Sequence, residues 1–147
     1  MKSTNHILVR IDPEYKELLN RYEVQSVANK ILNELDKTGC EISLYFVGDA
    51  RMRETNFSFR GCDKVTDVLS FTSNEVNPEN GFLILGDIII SVPVALSQAE
   101  ERQKPLTREI NLLMIHGILH IIGYDHEDKN KKKKMFSLQK HLLAMVN

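Results

Sequence analysis

The stretch Leu106-Thr107-Arg108-Glu109-Ile110-Asn111-Leu112-Leu113-Met114-Ile115-His116-Gly117-Ile118-Leu119-His120-Ile121-Ile122 decides how the chain folds. Its aliphatic residues fall on nearly every face of a helix rather than on one stripe, so the segment predicts a helix running through the core. Lys104-Pro105 precedes it as a break, and Gly123 follows where a positive φ lets the chain reverse. Everything else in the sequence reads as cover for this helix or as a sheet beneath it.

Working outward, His6–Ile11 reads as a first strand closed by Asp12-Pro13. Val24, Val27, Ala28, Ile31, Leu32 and Leu35 sit at helix-face spacing, with Gly39 placed to cap that helix. Residues 41–47 predict a strand with Ile42, Leu44 and Phe46 on one face, followed by Gly48-Asp49 and a short helix ending near Phe57 or Phe59. The polar segment from Arg60 to Thr66 reads as a loop. Residues 68–72 and 82–91 form two apolar runs joined by the turn-rich segment 74–81, which predicts an antiparallel hairpin. Ser91 and Pro93 open a further helix, and Phe136, Leu138, Leu142 and Leu143 mark a last amphipathic one packed on the body. About four strands and their covering helices fit one domain over residues 1–147, with no internal repeat and no linker.

Composition narrows the function classes. The 147 residues carry 19 basic and 20 acidic side chains, a net charge of −1, and 42% hydrophobic content. That balance excludes a disordered or generally polycationic chain, so any nucleic-acid contact has to come from a local patch. Arg51, Arg53, Arg60 and Lys64 offer one, diluted by Asp49, Glu54 and Asp63; Lys131–Lys134 offers another, whose commoner meaning is a solvated helix face. Two cysteines, Cys40 and Cys62, build no disulfide framework and fit a reducing compartment. No signal-peptide core develops before Asp12-Pro13, and no apolar run approaches the roughly 20 residues of a membrane span. A cytoplasmic protein with no membrane partner is expected.

Three of the five histidines fall between His116 and His126. On a helix His116 and His120 project from one face, close enough to share a metal ion at about 2.0–2.1 Å each, and the Gly123-Tyr124-Asp125 span brings His126 round as a third ligand. Three imidazoles leave a tetrahedral ion one position for water, the pattern of a catalytic rather than a structural site. Three buried imidazoles with no common ion would instead require three separate partners. One Zn2+ per chain is the expected cofactor, with other divalent transition metals possible by ligand type. The spacing H-x-x-x-H-x-x-G-x-x-H is also that of metzincin proteases, but their glutamate after the first histidine is Gly117 here, which removes the general base of peptide hydrolysis. His6 and His141, each isolated, read as structural.

The segment His116-Gly-x-Leu-His120-x-x-Gly-Tyr-Asp-His126 resembles the signature of the YbeY family of bacterial metal-dependent endoribonucleases and rRNA maturation factors. Residues 59–71, Phe-Arg-Gly-Cys-Asp-Lys-Val-Thr-Asp-Val-Leu-Ser-Phe, and Leu85-Gly86-Asp87-Ile88 resemble two further blocks of that family. Val65 and Thr72 stand where the family commonly has proline, a difference in loop stiffness. The resemblance implies an α+β fold, a small mixed sheet covered by helices, with the histidines and Arg60 lining one cleft. It implies His116, His120 and His126 as metal ligands, and Arg60 with His116 as catalytic residues. It also implies single-stranded RNA as substrate, maturation of the small-subunit rRNA 3′ end, ribosome quality control, and the small ribosomal subunit or its assembly factors as partners, with no DNA specificity.

Arg60 presents a planar fork suited to a phosphate. For the proton acceptor, metal-bound hydroxide, Asp67, Asp87 and Asp125 remain open, the aspartates serving equally as ligand-orienting or loop-fixing groups. Phe57, Phe59 and Phe71 either stack bases or belong to the core. A metallohydrolase of another substrate class and a non-catalytic ribosome-assembly factor with a structural metal are the competing functions; Cys40 or Cys62 would supply the fourth ligand of the latter.

Overall fold

In the computed structural model, which describes residues 4–124 and 128–147, side-chain alternation in four strands builds one mixed sheet. Its strands are β1 (His6–Ile11), β2 (Cys40–Val47), β3 (Val68–Val76) and β4 (Leu83–Ser91), in the spatial order β1-β2-β4-β3. β1 and β2 are parallel, as are β2 and β4, while β3 and β4 form the antiparallel hairpin and leave β3 at the edge. The helices are α1 (Arg21–Glu34), α2 (Asp49–Arg60), α3 (Val92–Glu101), α4 (Leu106–Ile121) and α5 (Lys129–Val146). The α+β expectation, with four strands and covering helices, is borne out.

Period-two alternation sorts the sheet into two faces. Ile42, Leu44, Phe46, Ile88 and Ile90 face α1 and α4 in the main core, joined by Ala28, Ile31 and Leu32, by Met114 and Ile118, and by Met135 and Leu142 of α5. Tyr45, Val47, Leu69, Phe71 and Ile89 point the other way, toward Met52 of α2. As its composition predicts, α4 is the central element: Ile110, Leu113, Met114, Ile115, Ile118, Leu119 and Ile121 are all buried.

Three boundaries differ from the sequence reading. β3 continues past Thr72 to Val76, because Glu75 and Val76 find partners in Ile84 and Leu83 after a register shift. The turn after α1 is closed by Asp36 at φ 58 rather than by Gly39, with the Lys37 N–H donating to Leu32 O at 2.8 Å. A short polar side chain tolerates that conformation. Arg60 is the last residue of α2 and not part of a loop.

His6 and Glu41 lock β1 to the hairpin turn. His6 Nδ1 lies 2.6 Å from Glu41 Oε1, and Asn80 and Asn77 donate their amides to the same oxygen at 3.0 and 3.2 Å. Burial raises the Glu41 carboxyl, but the bonds from Asn80, His6 and Asn77 outweigh it and hold the group below its ordinary value of 4.5. The stabilisation is therefore complete above pH 4.5 and is lost as pH falls through the lower folded-state value. Urea midpoints followed down through that range are expected to fall less steeply for Glu41→Gln than for the wild type.

Gly117 is where α4 meets the sheet. A β-carbon there would lie 2.7 Å from Cγ2 of Ile88, itself fully buried. Gly117→Ala is expected to lower stability by about 1–3 kcal/mol through overpacking, against the helix-propensity gain of removing a glycine. Denaturant unfolding measures it.

Candidate active site

His116 and His120 interrupt the buried surface of α4; both are half-buried among fully buried neighbours. Their spacing of four residues stacks the rings 4.6 Å apart at 70°, with the two Nε2 atoms 3.1 Å from each other. Two nitrogens bound to one tetrahedral ion at about 2.0–2.1 Å would stand about 3.3 Å apart, so the pair fits a shared cation with little movement. His116 Nδ1 faces Gln139 Oε1 of α5 at 3.4 Å. That acceptor favours the tautomer with the proton on Nδ1, which turns the Nε2 lone pair toward His120.

Beyond α4 the chain turns as the sequence predicts. Gly123 takes φ 108, the Gly123 N–H donates to His120 O at 3.1 Å, and the Tyr124 N–H reaches back to Leu119 O at 2.9 Å. This 6→1 closure satisfies the last carbonyls of the helix and ends it. Asp125 and His126, the proposed third ligand, lie outside the described residues.

The opposite wall comes from β3. Val68, Ser70 and Thr72, alternate residues on one face of the edge strand, line a cavity of about 420 Å³ with Thr66, Asp67, Arg60, His116 and His120. Because β3 is the edge strand, the end of α2 reaches round it, and Arg60 joins the histidines from the far face of the sheet. Gly61 at φ 68 stops the helix there, its N–H donating to Phe57 O at 2.9 Å. Arg60 Nη2 donates to Ser70 O at 3.4 Å, and its guanidinium carbon stands 5.9 Å from the Phe71 ring centroid. These contacts hold a planar, five-donor cation at the rim of a cavity that contains two imidazoles.

The other candidates separate in space. Asp67 lines the cavity but is engaged as a brace: Oδ1 accepts from the Val68 N–H at 2.8 Å and Oδ2 from Gln98 Nε2 at 3.3 Å. Asp87 pairs opposite Phe71 and is exposed on the α2 side, away from the histidines. Arg53 is committed to Asp63, with contacts of 2.6 and 3.0 Å, and Arg51 lies 3.6 Å from Asp12. Two members of the basic cluster suggested by the sequence around α2 are thus matched to carboxylates, while Arg60 faces the cavity. Phe57 and Phe59 are exposed, which removes the core reading for both, and Phe59 packs against Phe71 at 5.1 Å. His141 meets Glu34 at 2.9 Å. Cys40 is buried at the start of β2, Cys62 is exposed, and neither lines the cavity. The sequence gives no place in the site to Gln139, Ser70 or Thr72; the alternation of residues 68, 70 and 72 becomes informative only once β3 is known to be an edge strand facing α4.

On an α+β scaffold, an arginine fork thus stands across a polar cavity from two imidazoles, a cation matched to phosphate geometry facing two side chains of metal-ligand type. The family profile described as Endoribonuclease YbeY matches residues 10–147. Among curated relatives, the endoribonuclease YbeY of Persephonella marina is 42% identical over 97% of this chain and 93% of its own. That of Aquifex aeolicus is 35% identical over 99% and 95%. The solution structure of TM1509 from Thermotoga maritima superposes with a TM-score of 0.63 at 27% identity, covering 95% of this chain and 88% of that one. The chain therefore belongs to the YbeY endoribonuclease family and is an enzyme of the endoribonuclease class.

The bonding of Asp67 makes it a positioning residue for the cavity wall. Asp67→Ala is expected to lower stability by about 1–3 kcal/mol, since the Val68 N–H and Gln98 amide lose their acceptor. Asp67→Asn, which keeps an oxygen for Val68, should recover most of that loss. Thermal unfolding of the two variants checks the difference.

Proposed function

We propose that this protein is a zinc-dependent endoribonuclease that cuts single-stranded RNA, and that it serves maturation of the small-subunit rRNA 3′ end, ribosome biogenesis and ribosome quality control in the cytoplasm. The observation that carries the chemistry is the meeting of His116, His120 and Arg60 in one cavity of about 420 Å³. The resemblance of the 116–126 segment to the YbeY signature carries the choice of ribosomal RNA and of the small subunit as partner. Among the described residues no helix is long and apolar enough to cross a membrane.

His116 and His120, with His126 as third ligand, would hold the ion. A zinc ion so held supplies charge compensation for the phosphodiester and lowers the pKa of a water molecule toward neutrality. Arg60 offers two parallel N–H groups to the nonbridging oxygens, fixing the scissile phosphate beside the imidazoles and offsetting the negative charge that grows during displacement. Gln139 keeps the His116 proton on Nδ1, so that Nε2 stays directed at the shared point. Thr66, Ser70 and Thr72 present hydroxyls along the cavity wall, where they replace water around the sugar-phosphate backbone. The peptidase reading is disfavoured by packing as well as by sequence: a side chain at position 117 would be driven into Ile88 rather than toward the imidazoles.

The test is cleavage of a defined single-stranded RNA by protein freed of trace ribonuclease. Chelation and His116→Ala are expected to abolish cutting, zinc to restore the chelated wild type, and Arg60→Ala to lower kcat by about 10²–10³-fold. Undiminished cutting by every variant would reject the site.

A further inference from the structure

Beside the Arg60 cavity lies a second one of about 380 Å³, and His116 is a wall of both. Its other walls are Lys132, Met135, Phe136 and Gln139 of α5. The sequence reading places Phe136 against the body with Leu138, Leu142 and Leu143; Leu142 is buried as expected, but Met135 takes the inward place and Phe136 turns outward, 58% exposed. Lys132 Nζ stands 5.8 Å from the Phe136 ring centroid. Residues 129–146 contain six lysines and no carboxylate, and Lys129 to Lys134 are all exposed.

We propose that this cavity is a nucleotide subsite: a base of the RNA strand, adjoining the cleaved phosphodiester, stacks on Phe136 while Lys132 and its neighbours take the phosphate. Three features select this occupant. An exposed aromatic ring beside an ammonium matches a nucleotide, which joins a flat π face to an anion. The cavity volume lies within the roughly 300–1,000 Å³ usual for small-ligand sites. The shared His116 wall sets the subsite next to the cavity of Arg60, so a strand leaving the reacting phosphate comes within reach of α5. Gln139, with both amide donors and an acceptor, stands where it meets a base edge as well as His116. The lysine run is then the phosphate-tracking surface of the substrate strand. This inference rests on the ribonuclease reading above.

The chain contains no tryptophan, so Phe136→Trp creates a single reporter at the subsite. On rapid mixing of the zinc-loaded variant with an unstructured oligoribonucleotide, its emission is expected to be quenched by stacking. In steady-state cleavage, Phe136→Ala should raise KM about tenfold with kcat little changed, and Phe136→Trp should restore KM. Lys132→Gln should reduce the slope of log affinity against log salt by about 0.7, the loss of one single-strand phosphate contact. A KM within twofold of wild type for Phe136→Ala, in protein whose cutting still depends on His116, overturns the subsite and leaves the ribonuclease reading standing. Reporter emission in the Phe136→Trp variant that ignores RNA but shifts with anionic phospholipid vesicles also overturns it, in favour of a membrane surface. Failure of the wild type to cut any RNA removes the reading on which the subsite rests.

Discussion

The closeness of α4 to β4 is the constraint on which the site depends. With only a hydrogen at Gly117, the helix sinks until the position of a β-carbon is 2.7 Å from Ile88. Rotation about its axis is thereby fixed, and the face one residue earlier and three later, His116 and His120, is aimed at the edge strand. A helix this apolar would bury itself in several rotations with similar hydrophobic gain, since burial is non-directional. Steric contact at one glycine selects the rotation that puts two imidazoles side by side. The glycine that stands at position 117, where the protease pattern has glutamate, is thus a packing requirement of this fold.

Around that helix the site is assembled from parts that are distant in sequence. β3 contributes alternate residues because it is at the edge, and for the same reason the end of α2 can reach past it to deliver Arg60. α5 supplies Gln139 behind His116. Each supporting group is held by the scaffold: Arg60 by the Gly61 cap and Ser70 O, Asp67 by Val68 and Gln98, Gln139 by a helix anchored through Met135 and Leu142. Such preorganisation is what the proposed chemistry requires, so that a charged ester is met by groups already in place.

Much of this is legible in the sequence, and the misses share a cause. β1, the position of α4 and the hairpin follow from local pattern, as does the pairing of His116 with His120, because all of these depend on period alone. Side-chain direction at places where two adjacent residues compete does not. Met135 and Phe136 are one residue apart, and only the packing partner decides which goes inside. The face taken by Asp87 is equally undecided, since parity along a strand assigns sides only after its partners are known. The extension of β3 through polar Ser73, Asn74 and Glu75 comes from backbone pairing that hydropathy does not report. Glu109 is fully buried against Arg102 at 2.7 Å, a charge that the helical pattern assigns to no particular side.

The proposal is that two imidazoles whose Nε2 atoms stand 3.1 Å apart close on one cation together with that of His126, and the proposed chemistry follows from it. X-ray absorption at the zinc edge of the loaded protein tests it directly. One ion per chain is predicted, its nearest scatterers light atoms at about 2.0–2.1 Å, with the more distant scattering of three imidazole rings and loss of one ring's contribution in His126→Ala. Sulfur scattering at about 2.3 Å, or a spectrum unchanged by replacing His116 and His120, would contradict it.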